Sequence, residues 1–308
     1  MASSLTSASS SDIAIISSKE YEEQVLALEI QLCELMHKTF EDERDRLYLP
    51  RLYSKINPSN VFKILFMERK KLDSGKFSLD AEEKGYLKGV LKGYICMLET
   101  LHLPLNASLY ETLHDEVSSG VFSSEDSGEI PRGFREFSDG MEAFYLTPED
   151  TVSIKGIEEL IIRYDSYHYI DNATGDKFFF LKEAMSNPKV TILKAQHEGA
   201  YPKIVLKPTR KKTCEVNIEE LIKLYEMKPK STDDEKLHAI ARLCQDLDQL
   251  HVFVDGNIRT TGILVLNRLL ILNGLSPCVL KDVNQLDCLS EDEIVELIKE
   301  GQDFFRSL

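Results

Sequence analysis

The chain has 308 residues, enough for two modest domains or for one domain with a large extension. Its formal net charge of -15 argues against a general nucleic-acid binder, whose affinity comes from clustered Lys and Arg, and against attachment to anionic membranes. The longest apolar run, Gly262 to Leu272, is interrupted by Asn267-Arg268, so no membrane span is expected.

Residues 1–17 open with MASSLTSASSSD, small and polar, and are expected to be a disordered tail without a secretory leader. From Ser18 the pattern turns helical: Tyr21, Val25, Leu28, Leu32, Leu35 and Met36 recur on one face with glutamates between them. Asn57-Pro58-Ser59 reads as a helix start for Val61-Phe62-Ile64-Leu65. In 80–101, Tyr86, Leu87, Val90, Leu91, Tyr94 and Met97 share a face. Residues 18–117 therefore read as an N-terminal helical region. The Ser-, Gly- and acid-rich stretch 118–140 reads as a linker or surface loop. The remaining 141–308 form the second unit.

Within it, Lys177–Leu181 could open a strand or a helix. Lys189-Val190-Thr191-Ile192-Leu193 and Lys203-Ile204-Val205-Leu206 favour β structure, and together predict a hairpin near 189–207. Helices dominate from Ile218. Leu237, Ile240, Ala241, Cys244, Leu247 and Leu250 line one face of a helix that runs into His251. Ile263 to Leu272 is apolar on nearly every side and predicts a central buried helix, with Gly274 as its C-cap and Pro277 blocking continuation. The fold class is thus mainly α with a small β-hairpin. Six scattered cysteines (Cys33, Cys96, Cys214, Cys244, Cys278, Cys288) form no CxxC pair, which suits a reducing compartment and excludes a zinc knuckle.

The chemistry concentrates in His251-Val252-Phe253-Val254-Asp255-Gly256-Asn257-Ile258-Arg259. Gly256-Asn257 falls at the start of the buried helix, where N–H groups lack intrahelical partners and the dipole favours an anion. Glycine at 256 allows close backbone approach. Arg259 can add a planar cationic fork. Asp255 offers a hard oxygen for Mg²⁺, or alternatively a cap for the helix. His251 is placed to deprotonate a hydroxyl. Phosphoryl or nucleotidyl transfer needs these parts. His168, His197 and His238, the Tyr164–Tyr169 cluster and the basic run Thr209–Lys212 carry no such pattern and read as packing or solvated surface.

This segment resembles the Fic (Fic/Doc, Fido) family motif H-P-F-x-[D/E]-G-N-G-R-x-x-R at His251, Phe253, Asp255, Gly256, Asn257 and Arg259. The resemblance covers roughly 185–275 and implies a helical Fic-like core whose flap hairpin holds the target protein by strand addition. It implies His251 as general base, Phe253 as loop anchor and Asp255 as the Mg²⁺ ligand. Gly256, Asn257 and the Ile258 N–H would form the anion hole, with Arg259 on a phosphate of ATP or a related nucleotide. Three positions depart from the pattern. Val252 replaces Pro, Ile258 replaces the second Gly, and Gly262 replaces the second Arg, which in AMP-transferring members contacts the outer phosphates. The Doc branch lacks the same Gly and Arg and transfers the terminal phosphate. The expected activity is AMP transfer to a protein hydroxyl. The alternatives are terminal phosphate transfer, transfer from another nucleotide-diphosphate donor, and a degenerate module that binds a nucleotide or partner without catalysis. The family's inhibitory [S/T]xxxE[G/N] helix has no copy; Ser138 to Glu142 has the spacing, but Ala143 follows. A cytoplasmic protein is expected, in keeping with a bacterial effector delivered into a host cell.

Overall fold

The side chains of Asn106, Thr232 and Ser290 cap three of the α-helix starts. A computed structural model describes residues 10–37, 58–66, 69–75, 83–122, 129–134, 142–145, 203–206 and 211–308, with a few single residues and pairs between them. Helix α1 (Ser10–His37) begins earlier than the periodic pattern, and it buries Val25, Leu32, Leu35 and Met36. Short 3-10 helices follow at Pro58–Leu65 and Arg69–Ser74. Helix α2 (Tyr86–Glu99) buries the whole stripe read from the sequence. Helix α3 (Ala107–Val117) is capped by Asn106, whose side chain accepts from the Leu109 N–H at 2.8 Å. Helix α4 (Lys211–Met227) precedes α5 (Asp233–Leu250), which starts from a capping box between Thr232 and Glu235. The C-terminal helix α7 (Glu291–Ser307) repeats the device with Ser290 and Glu293.

Between α5 and α7 runs the central helix. Its first stretch, Arg259–Val265, is wound as a π-helix, and α6 (Leu266–Leu272) continues it. The sequence predicts a plain α-helix here; π-turns are rare and recur at functional sites. Every residue from Arg259 to Ile271 is buried, as the all-round apolar pattern requires. Gly274 ends the helix at φ 74°: its N–H reaches the Ile271 carbonyl at 3.0 Å and the Leu275 N–H reaches Leu270 at 2.9 Å. This is a Schellman ending with glycine in the left-handed position.

Helices α1 to α3 and the segment after Lys211 share one apolar core. Arg268 ties them by its charge. Its fully buried guanidinium donates to the carbonyls of Met97 and Leu101, each at 3.4 Å, and to that of Leu103. These oxygens cluster at the end of α2, where the helix dipole is negative. Burial lowers the Arg268 pKa to about 10.

Among the described residues the β structure is a two-stranded antiparallel ribbon and an isolated bridge. Strand β1 (Glu142–Tyr145) pairs with β2 (Lys203–Leu206) in the register Glu142↔Leu206, Tyr145↔Lys203. Lys203–Leu206 is therefore the strand the sequence predicts, with 142–145 as its described neighbour. Residues 164–169, 177–181 and 189–193 lie outside the described residues, as do His168 and His197. No helix among the described residues is long and apolar enough to cross a membrane.

Candidate active site

Helix α5 stops because His251 adopts φ 47°, ψ 53°, the left-handed conformation that usually falls to glycine, with its N–H on the Asp248 carbonyl at 2.9 Å. The backbone then drops into the core. Val252 is 3% exposed and Phe253 is fully buried, while Val254 turns outward. Valine in place of proline at 252 therefore contributes packing. Asn257 closes the loop from the other side. Its side-chain oxygen accepts the Phe253 N–H at 2.9 Å and its amide donates to the Phe253 carbonyl at 3.0 Å. The Asn257 side chain is thus a clasp across the loop, and only its backbone N–H remains as a donor to an anion.

Phe253 sits among rings. His114 of α3 stacks on it at 3.6 Å between centroids and 6° between planes; Phe134 lies at 5.2 Å and 13°, Tyr110 at 5.2 Å and 37°. Phe134 comes from the stretch whose composition reads as linker or surface loop. That stretch is pinned here, with the Gly133 N–H donating to Asp115 at 2.7 Å and Phe134 6% exposed. The Tyr110 hydroxyl meets the Thr261 hydroxyl at 2.8 Å. Loop, α3 and the start of the central helix are one packed unit.

Asp255 lies at the open side of the loop, its side chain 42% exposed. One carboxylate oxygen accepts from the Gly256 N–H and stands 3.3 Å from Arg259 Nη2. The sequence-level alternatives of cap and metal ligand are therefore compatible, because the second oxygen is left for another partner. Gly256 has φ 77°, and a side chain there would strike Ser118. The N–H groups of Asn257, Ile258 and Arg259 begin the central helix and have no intrahelical acceptors. Ile258 packs part of its side chain against the core.

Two positions differ from the simplest sequence picture. The Arg259 side chain is 3% exposed; its Nη1 is 2.6 Å from Glu83 Oε2 and its guanidinium lies 5.7 Å over Tyr86. The arginine thus lies beneath Asp255, shared between two carboxylates. Gly262 faces the 3-10 turn Val283–Leu286, and a Cβ there would come within 3.1 Å of Val283 and 3.3 Å of Leu286. The position that holds the second arginine in the Fic pattern is sealed here by apolar packing. Sequence reasoning did not single out Glu83, Tyr110 or His114. His114 follows Leu109, Tyr110 and Leu113 on an apolar face, which is the one local signal of a buried histidine.

Next to the loop, Asp248 of α5 and Asp287 face each other in the interior. Burial raises the pKa of Asp248 to about 6 and pushes that of Asp287 well above its ordinary value, the neighbouring carboxylate adding to it. Two adjacent carboxyls, Asp248 buried and Asp287 partly exposed, resist ionising together, which favours one proton held between them. Among the described residues no group of three His, Cys, Asp or Glu side chains could hold a metal ion.

The arrangement is a histidine at a helix end, a carboxylate at a loop apex and a buried helix whose first N–H groups lack intrahelical acceptors. That is the class of site the Fic resemblance implies. No family model matches the chain. A stretch of 92 residues is 36% identical to the phosphocholine transferase AnkX of Legionella pneumophila; the match spans 29% of this chain and 10% of that protein. The chain is thus similar, over part of its length, to a transferase.

Proposed function

We propose that this protein is a Fic-like transferase that moves phosphocholine from a nucleoside-diphosphate choline donor to a hydroxyl of a target protein. The observation that carries the reading is the loop from His251 to Arg259, in which a histidine and a carboxylate flank the first N–H groups of a buried helix, a setting suited to an anion. The partial similarity to a phosphocholine transferase supports this choice of donor. The sealed position at Gly262 supports the same choice, because a diphosphate donor has no third phosphate for a second arginine to hold.

In this mechanism His251 takes the proton from the target hydroxyl. The oxygen attacks the phosphorus that carries choline, the bridging P–O bond breaks, and a nucleoside monophosphate leaves. The N–H groups of Asn257, Ile258 and Arg259 hold the phosphate oxygens. Arg259, buried under Asp255, supports the loop's charge balance more than it contacts the donor. Mg²⁺ would be held through the Asp255 carboxylate oxygen that is left for another partner, and would supply neutralisation of the donor's phosphate charge. The target strand would add to the ribbon that contains Lys203–Leu206.

AMP transfer from ATP is the second reading, favoured by the retained His251, Asp255, Gly256, Asn257 and Arg259. The source of the relative supports a bacterial protein that acts inside a host cell.

The test incubates the chain with host-cell lysate and Mg²⁺, using CDP-choline labelled in choline or ATP labelled at the α or γ phosphate, beside His251→Ala. Choline label that disappears in the variant supports the proposal. Label from α-ATP alone replaces it with AMP transfer, and from γ-ATP alone with a Doc-like kinase. If no label transfers while a nucleotide still binds, the module is a binder.

A further inference from the structure

The loop has two strong anchors, Phe253 in its nest of rings and Asn257 clasping the Phe253 backbone. Between them stand Val254, Asp255 and Gly256, which those anchors do not hold. The peptide plane joining Asp255 to Gly256 is the critical one. In a trans peptide the C=O and N–H point in opposite directions. Glycine accepts either sign of φ at little cost, so φ at Gly256 does not hold this plane against turning over. Turned over, it would aim a carbonyl oxygen at the anion site and repel phosphate.

One side chain decides between the two states. His114, from α3 and 141 residues away in sequence, donates its Nε2–H to the Asp255 carbonyl at 2.9 Å. A carbonyl only accepts, so at this contact Nε2 carries the hydrogen; the longer approach of Nδ1 to Asp115 Oδ1, 3.4 Å, is the weaker claim on it. The ring is fully buried and stacked on Phe253, and Ser118 Oγ lies 3.2 Å from the same nitrogen. The carbonyl is thus held inward, and the Gly256 N–H stands on the side of the Asp255 carboxylate.

We propose that His114 is a positioning residue that latches the Asp255–Gly256 peptide plane in the orientation that accepts an anion. Its role rests on the transfer reading above. It touches no reacting atom. It makes the helix start competent by excluding the flipped, anion-repelling loop. A ring stack alone would not do this, since stacking holds Phe253 but not the carbonyl two residues on.

Two substitutions separate the ring from the donor. His114→Phe keeps the stack and removes the N–H. His114→Gln removes the stack, and its side-chain amide can reach the place of Nε2. CDP-choline affinity by calorimetry, kcat and KM for transfer, and the backbone amide shifts of Gly256 and Ile258 are measured for both, with thermal unfolding as the control. The Phe variant is expected to weaken CDP-choline binding about tenfold and kcat about ten- to a hundredfold, with displaced Gly256 and Ile258 amides. The Gln variant is expected to stay within about threefold of the parent with those amides in place. Parent-like binding and amides in the Phe variant would overturn the latch, as would equal losses in both variants that follow their melting temperatures. If the parent itself transfers nothing from CDP-choline, the transfer reading fails. The latch is then decided on the amide shifts alone, displaced in Phe and restored in Gln or not.

Discussion

Helix α5 is finished in opposite ways at its two ends. At the first, Thr232 and Glu235 form a capping box, and Asp233, Asp234 and Glu235 set negative charge against the positive end of the dipole. At the second, His251 occupies the left-handed region, the one residue other than glycine to do so among the described residues. One turn earlier Asp248 shares a proton with Asp287 in the interior. The first end follows every local rule for stability and the second breaks two of them. Departures of this kind collect where a chain does chemistry, because strain and buried charge persist only when the surroundings impose them.

The comparison can be broken most decisively at His251. His251→Gly should lower transfer at least about 10³-fold, within the range of a lost general base, while stability rises by about 0.5–1 kcal/mol as left-handed strain is relieved. Rate assays and urea unfolding on one preparation read both; unchanged transfer would remove His251 from the chemistry. Arg259→Met comes next. It leaves Glu83 and Asp255 without their shared cation, yet their side chains are 21% and 42% exposed, so water screens much of the loss. About 2 kcal/mol is expected, below the value for a fully buried pair, and a urea midpoint like the parent's would show that the pairing carries no stability.

The acid pair gives a pH signature. Its folded pKa lies above the unfolded one, so its contribution is complete below about 3.8 and is lost as pH rises through about 6. Asp248→Asn should flatten that slope and raise stability at pH 8 by roughly 2 kcal/mol. Unfolding midpoints at pH 4.5 and 8 would check it; an unaltered slope means the proton is not shared there. The smallest effect belongs to the orderly end. Thr232→Ala should cost about 1 kcal/mol and leave transfer untouched, and a rate that falls with it would mean that the two ends are coupled.

Much of this was legible in the chain. Helical stripes are local, so Tyr86 to Met97 and Leu237 to Leu247 reveal their buried faces directly. Gly274 announced its own φ. The motif could be read because its parts lie within nine residues, His251 to Arg259. What surrounds it could not. The partners of that loop, Glu83, Tyr110, His114 and Phe134, come from distant segments whose composition records burial but not the neighbour. Gly262 shows in the sequence only that an arginine is missing, and it takes Val283 and Leu286 to show that apolar packing fills the place. The π-winding after Ile258 has no spelling in residue types.

The fully buried Arg268 limits how the chain can be divided. The serine-rich stretch 118–140 looks like a place to cut, and a fragment from 141 onward would carry the whole histidine motif. It would also leave behind the backbone oxygens of Met97, Leu101 and Leu103 that surround this guanidinium. Either the cation or a slab of apolar helix would then face water, and α3 would be gone from under the loop. The useful laboratory unit includes both flanks of that stretch, and a pared-down fragment would lack the floor on which the candidate site stands.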